Sequence, residues 1–267
     1  MSRTEAQEVA DVKKALRGAV SKTGVFSAMK LIHFALRKHG EKLAVAWSGG
    51  RCSTAVLRMA LDIRPDIKVI FNDTGVEYPQ TVEFAKKLAN EWDLNLIVAK
   101  PTITFWEVAK KYGFPHQSRT GRGKPACCRL LKEYPLRSAV REQEIEGLLT
   151  GLRAVESRYR MFWTEQVGQF YFVKKYGLNV WKYNPIAFWT TKQLEKFESE
   201  RGLPINPIYE KYGLERSGCW VCVGYKGWEE VMARTNPKLL AKLKELMGQG
   251  ILDHYFRTQV IPCQERG

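Results

Sequence analysis

The sequence predicts an α/β fold: a parallel twisted sheet with helices on both faces, followed by a loop-rich and helical C-terminal extension. Three observations predict it. Short apolar runs alternate with amphipathic stretches of helical length, the pattern of parallel strands joined by right-handed crossovers. At 267 residues the chain can bury one sizeable core. Its 45% hydrophobic and 12% aromatic residues are the composition of a globular chain.

In chain order, "VFSAMKLIHFALRKHG" is helical, with Gly40 placed to end it. "KLAVAW" is a short buried strand, "STAVLRMALDI" a helix, and "IKVIFNDTG" a second strand ending in a polar turn. "PQTVEFAKKLANEWD" is a helix with Pro79 in its first turn. "LNLIVAKP" is a third strand and "TFWEVAKKYG" another helix. "HQSRTGRGKPACC" is a basic, glycine-rich loop. "RLLKEYPLRSAVREQEIEG" is helical around Pro135, "GLLTGLR" starts as a strand, and "VWKYNPIAFWTTKQLEKFESERG" reads as strand, turn and helix. From Pro204 the chain is loop-rich, then helical through "NPKLLAKLKELMGQ". The expected division is 1–40 as N-terminal helices, 41–203 as the α/β domain, and 204–267 as an extension carrying a C-x-x-C pair and a cysteine near the end.

Charge narrows the partners. Lys and Arg number 43 against 28 Asp and Glu, a net +15. Such a balance points to DNA, RNA or a strongly anionic substrate. No apolar run is long enough to span a bilayer and no signal pattern opens the chain, so no membrane partner and a cytoplasmic location are expected. In that compartment six cysteines suggest metal or redox chemistry, not a disulfide frame.

The loop "AVAWSGGRCSTAVL" sits where a parallel sheet binds ligands, beyond the carboxyl end of a strand. Gly49 and Gly50 let backbone amides approach an anion, the next helix adds its N-terminal partial charge, and Ser48 and Ser53 offer hydroxyls. Neither G-x-G-x-x-G nor G-x-x-x-x-G-K-[ST] matches.

The loop resembles the SGGxxS pyrophosphate loop of the adenine nucleotide α-hydrolase (PP-loop) superfamily. Two further stretches are similar to its phosphoadenylyl-sulfate (PAPS/APS) reductase branch: "VIFNDTGVEYPQTVEF", with Thr74, Gly75, Glu77, Pro79 and Thr81, and "GLRAVESRYR", close to G-x-R-x-x-E-S-x-x-R. The resemblance runs from about Lys42 to Gly224. It implies a Rossmann-like PP-loop domain, with Ser48, Gly49, Gly50, Arg51, Ser53, Thr74, Gly75, Glu77, Arg158, Arg160 and Lys124 at the nucleotide and Arg153 and Asp73 in catalysis. Arg153, Arg158 and Arg160 suit phosphate or sulfate. Cys52 stands where ATP-cleaving members carry aspartate; Asp73 or Glu77 would supply that carboxylate to nucleotide or Mg²⁺. Cys52 itself is expected as a small buried residue beneath the loop.

Cys127 and Cys128, with Cys219 and Cys222, make a vicinal pair plus a C-x-x-C: four thiolates, enough for zinc or an iron–sulfur cluster. Adjacent cysteines chelate one small ion awkwardly, which favours 4Fe–4S over zinc. The pattern resembles the 4Fe–4S frame of adenylyl-sulfate reductases, and "GCWVC" resembles the related proteins of DNA phosphorothioation. Lys124 and Arg129 flank the vicinal pair. Cys263, in "QVIPCQERG", matches by position only the tail cysteine that attacks sulfate sulfur in the reductases.

These features support two enzyme readings. In one, ATP is split to AMP and pyrophosphate to activate DNA or RNA for sulfur insertion, with a donor such as a cysteine desulfurase. In the other, the chain reduces APS or PAPS to sulfite through Cys263 and thioredoxin. A third is a non-catalytic nucleic-acid-binding module with a structural cluster. A homo-oligomer stays open. The aromatics of "MFWTEQVGQFYF" and "WKYNPIAFW" are expected in the core before any role in base stacking.

Overall fold

The structure is a computed structural model that describes residues 7, 10, 11, 14, 24–112, 125–175, 178–223 and 227–248. Its centre is a six-stranded sheet of order β3-β2-β1-β4-β6-β5. The strands are β1 (Leu43–Trp47), β2 (Lys68–Asn72), β3 (Asn95–Ala99), β4 (Gly147–Thr150), β5 (Phe170–Lys175) and β6 (Leu178–Tyr183). Five run parallel; β5 returns antiparallel on β6 and makes one edge. The expected sheet is therefore present, with an antiparallel edge hairpin added. β5 has few small or turn residues to announce it, and its "FYF" reads equally as part of a core helix.

The helices are α1 (Gly24–His39), α2 (Arg51–Ile63), α3 (Pro79–Glu91), α4 (Phe105–Tyr112), α5 (Tyr134–Glu142), α6 (Arg158–Val167), α7 (Thr191–Arg201), α8 (Ile208–Tyr212), α9 (Trp228–Thr235) and α10 (Pro237–Gly248). None of the described helices is long and apolar enough to cross a membrane.

The chain forms two compact units. The first comprises 1–72, 83–99 and 137–206 and holds the sheet. Its core is continuous: Leu43, Val45 and Trp47 from β1, Val56, Leu57 and Met59 from α2, and Leu31 and Ile32 from α1 are all buried. β1 lies between β2 and β4 and is buried along almost its whole length, which is why "LAVAW" shows no polar alternation. β3 lies at the other edge and is correspondingly more exposed. The aromatics of β5 and β6 gather against α1: Phe170 stacks on Tyr183 at 5.6 Å, and Phe34 packs on both. Tyr183 also shares a 2.8 Å hydrogen bond with His39 Nε2.

α7 is fixed at both ends by its own sequence. Thr190 and Gln193 form a capping box, and Gly202 ends the helix at φ +55°, a left-handed conformation that favours glycine.

The second unit comprises 73–82, 100–136 and 207–267. Its separate apolar cluster is Val76, Phe105, Val108, Leu131, Val221, Val223, Met232 and Leu243, with Cys127 and Cys219 packed against it. Here the expected helix around Pro135 opens with a π-helical turn, Cys128–Glu133, in which Tyr134 N–H donates to the Arg129 carbonyl five residues back. Such turns insert one residue into a helix and occur often at functional positions.

Gly147 is required by packing. A Cβ there would lie 2.6 Å from His39 Cδ2 and 2.7 Å from Leu43 Cδ1. Gly147→Ala should lower stability by about 1–3 kcal/mol through overpacking; an unchanged urea midpoint would show that the His39 ring yields instead.

Candidate active site

The sheet changes direction of strand order at β1. The chain moves outward to β2 and β3, then resumes on the other side with β4. Such a switch point opens a crevice beyond the carboxyl ends of β1 and β4. The loop Ser48–Gly50 leaves β1 there, and Gly151–Arg153 leaves β4.

The two segments touch through backbone. A Cβ on Gly151 would lie 2.5 Å from Ser53 N and 2.6 Å from Cys52 C, so only glycine allows the approach. The loop is held from within: Ser53 Oγ donates to Gly50 O at 2.9 Å, accepts from Ser48 N at 3.2 Å, and lies 3.1 Å from Ser48 Oγ. Gly49 sits at φ +67°, and its carbonyl accepts from the buried Asn206 Nδ2 at 3.0 Å. Gly50 is the N-cap of α2 and brings no capping side chain to the first turn, whose amides carry the partial positive charge of a helix N-terminus.

Arg51 is tied to α7. Its Nε donates to Glu198 Oε1 at 2.9 Å and Oε2 at 3.1 Å, and its Nη2 also bonds Glu198, which is buried. Glu195 stands 3.9 Å from the same Nη2. The guanidinium thus anchors the first turn of α2 to a neighbouring helix.

Arg153 is buried, with 8% exposure. Its Nε donates to Cys52 Sγ at 3.2 Å, and its Nη1 reaches Thr191 Oγ1 at 3.4 Å and Trp189 O at 3.5 Å. Cys52 Sγ lies 3.6 Å from Glu156 Oε1 as donor. Glu156 in turn pairs with Arg160 Nη1, and its Oε1 lies 3.9 Å from Arg153 Nε. Arg158, the first residue of α6, is exposed. Cys52 is only half-buried and faces charged groups, where a small buried residue beneath the loop was expected. The reason is local: β4 delivers Arg153 and Glu156 to the same side of α2's first turn.

The remaining predicted residues form a different group, in the second unit. Asp73 Oδ1 accepts from Gly75 N at 3.0 Å, and its Oδ2 lies 3.5 Å from Lys100 Nζ. Gly75 is at φ +74°, which the turn requires. Thr74 is buried; its Oγ1 donates to Glu77 Oε1 at 3.0 Å and lies 3.8 Å from Cys219 Sγ. Cys219 Sγ is 3.9 Å from Glu77 Oε1, and the two residues form an isolated antiparallel bridge. Trp220 N donates to Val76 O at 3.0 Å, and Cys222 N to Cys219 O at 3.2 Å. Lys132, on the π-helical turn, brings Nζ to 3.6 Å from Glu77 Oε1.

The thiols act on one another. Burial pushes Cys219 up to about 12; the nearby Lys132 charge opposes this, while Glu77 and Cys222 add to it. Cys127 is held far above the usual thiol range by its hydrogen bond with Cys128, then by burial and the charges of Cys128, Cys222 and Cys219. Burial works against the Lys132 charge, but Cys219, Glu77 and Cys128 outweigh it and raise its pKa. Uncompensated, Cys127 and Cys219 stay protonated at neutral pH; a bound cation would displace their protons. Among the described residues, no three His, Cys, Asp or Glu side chains stand together as ligands to a single ion. Lys124 and Cys263 lie outside the described residues.

Residues 42–225 match the family of the phosphoadenosine phosphosulfate reductase domain. The chain belongs to this family. An adenosine 5′-phosphosulfate reductase of Salinibacter ruber is 27% identical over 197 residues, covering 72% of this chain and 71% of that protein. One from Bacillus cereus is 26% identical and covers 73% of this chain and 79% of that protein. An uncharacterized protein of Methanocaldococcus jannaschii is 33% identical over 66% of this chain, but the match spans only 40% of its own length. The phosphoadenylyl-sulfate reductase of Candida auris, solved as a phosphate complex, superposes with a TM-score of 0.58 at 22% identity, covering 78% of this chain and 94% of that one. At that identity the likeness concerns the fold.

Sequence alone does not single out Glu198, Asn206 or Lys132, whereas Gly151 is a fixed glycine of the "GLRAVESRYR" motif. Glu156 is the acidic residue of the same motif. Glu198 and Asn206 sit in stretches with no motif and are visible only once packed.

Gly151→Ala should push the first turn of α2 out of place and weaken adenine-nucleotide binding at least about tenfold, with the fold retained. Isothermal titration against the parent chain checks this; equal affinity would show that the Gly151 approach does not shape the site.

Proposed function

We propose that the chain is an adenine-nucleotide-dependent sulfur-transfer enzyme that splits ATP to AMP and pyrophosphate and activates a nucleic-acid acceptor, DNA or RNA, for sulfur insertion. The observation that carries this reading is the glycine-bearing Ser48–Ser53 loop at the switch point, leading into the N-terminus of α2, with Gly151 packed against it. That geometry offers amides and helix partial charge to the terminal phosphates of a nucleotide.

Each residue has a defined task in this reading. Backbone amides of the loop hold the pyrophosphate end, and Ser48 and Ser53 keep the loop closed by bonding each other. Arg51 and Asn206 hold the loop from outside. Arg153 is placed to stabilise charge that develops on the phosphate being displaced. Glu156 lies 3.6 Å from Cys52, which replaces the usual aspartate, and would be the carboxylate nearest the loop to hold Mg²⁺, in place of Asp73 or Glu77. Attack of an acceptor oxygen on the α-phosphorus would release pyrophosphate and leave an adenylylated acceptor; displacement of AMP by a sulfur nucleophile would complete the transfer.

Cys127, Cys128, Cys219 and Cys222 are the residues that would hold a 4Fe–4S cluster, with Lys132 offsetting its negative charge. A cluster bound there would supply sulfur-ligating or redox capacity to the second unit. A sulfur donor such as a cysteine desulfurase would then be a partner.

A second reading is favoured by the curated relatives, whose names are adenosine 5′-phosphosulfate reductase. The sulfate of APS or PAPS would occupy the same loop. The Cys263 thiolate would attack its sulfur, form an S-sulfonated cysteine and expel the nucleotide; thioredoxin would supply two electrons as sulfite leaves.

One assay separates the readings. Anaerobically purified protein is given ATP, with and without oligonucleotide, and separately APS or PAPS with thioredoxin. Pyrophosphate and AMP from ATP are expected; sulfite release instead, abolished by Cys263→Ser, would replace the first reading with the second. In the same preparation Cys219→Ala or Cys127→Ala should remove bound iron and the brown colour; full iron content in either variant would reject the cluster.

A further inference from the structure

The helix α6 is unusual among the described elements of the first unit. Its sequence is "RYRMFWTEQV", and the only side chain it buries is Thr164. Tyr159 is 75% exposed, Phe162 62% and Trp163 44%. At spacings of three and four residues these rings share one helical face. Val155, in the turn just before the helix, is 42% exposed. Three neighbouring aromatic rings in water carry a cost, and a packed core is not what they serve.

The helix is also placed by the site. It starts at Ser157, whose Oγ accepts from Arg160 N at 3.1 Å. The residue before is Glu156, 3.6 Å from Cys52 in the nucleotide loop. The aromatic face therefore begins one helical turn from the residues that flank the loop, within the same compact unit.

Charge and shape select the occupant. Arg158 and Arg160 open the helix, and Glu156 and Glu165 balance them, so attraction of a polyanion comes from the chain's net +15 and the positive end of α6. The same net charge opposes pairing of this face with a second copy. Neighbouring exposed rings on a basic protein suit the unstacked bases of a single strand, because each base offers a π-face to a ring while its phosphates are drawn by the chain's net positive charge. A duplex keeps its bases stacked on one another and offers no such face.

We infer that the Tyr159, Phe162 and Trp163 face of α6 binds single-stranded nucleic acid by base stacking and presents it to the Ser48–Ser53 loop. This deepens, and rests on, the reading in which sulfur is delivered to a nucleic acid. The test reads strand binding alone, so failure of ATP cleavage leaves it standing.

The probe is a short fluorescein-labelled oligonucleotide, as RNA, as DNA and as duplex, titrated by anisotropy into the full chain at fixed salt. Single strands should bind more tightly than the duplex, and the RNA and DNA forms together identify which polymer is preferred. The double variant Tyr159→Ala with Phe162→Ala should lose at least about tenfold in single-strand affinity. Its ATP affinity and urea midpoint should match the parent's, and Tyr159→Phe, which keeps the ring, should bind as the parent does. Equal strand affinity in the parent and the double variant overturns the inference, as does a duplex bound as tightly as the single strand. A parent dimer that becomes a monomer in the double variant, with strand binding unchanged, overturns it in favour of a self-interface.

Discussion

The contact on which the first unit depends is backbone against backbone: Gly151, leaving β4, against the first turn of α2. With no side chain at 151, the end of one strand lies within a Cβ radius of Ser53 N. That approach sets where α2 begins relative to the sheet, and therefore where its first amides point. It also places the residues just after Gly151, because Arg153 and Glu156 can reach Cys52 only if β4 passes this close. The loop's serines, the Asn206 bond to Gly49 and the Arg51–Glu198 pair all hold a geometry that this glycine first permits.

The structure separates two chemistries that a linear reading merges. The loop, Arg153 and Glu156 belong to the sheet-bearing unit, whereas Asp73, Thr74 and Glu77 fold with the cysteines. Thr74 and Glu77 are engaged with Cys219 and Lys132, so a motif that resembles a nucleotide-facing turn is also part of the thiol environment. Electrostatics gives that environment a consistent logic. Cys219, Cys128 and the Glu77 carboxylate all raise the pKa of Lys132, and the lysine's charge in turn opposes the rise at Cys219.

Much of the fold was legible because its strands obey one rule. β1, β2 and β4 are buried on both sides, so each appears as an apolar run ended by glycine or polar residues. α7 was expected from its pattern, and Thr190, Gln193 and Gly202 fix its ends. The elements that stayed hidden lack such rules. β5 is an edge strand paired antiparallel, with aromatic residues that fit helix or strand alike. α6 has rings where an amphipathic helix would have polar residues, so its period carries no inside-outside signal. The π-helical turn at Cys128–Glu133 depends on one inserted residue that no local propensity encodes. At the site, glycines and serines could be found by motif, while Glu198 and Asn206 act only through long-range packing with partners 147 and 157 residues away along the chain.

The second unit draws on three separated lengths of chain, the last beginning at Pro207. One cysteine pair lies in the middle length and the other in the last. During synthesis the first pair therefore leaves the ribosome well before its counterpart exists, and the apolar residues beneath it, among them Val76 and Phe105, wait uncovered for Val221 and Met232. Every strand of the sheet has been made by then, so this unit matures after the one that carries the loop.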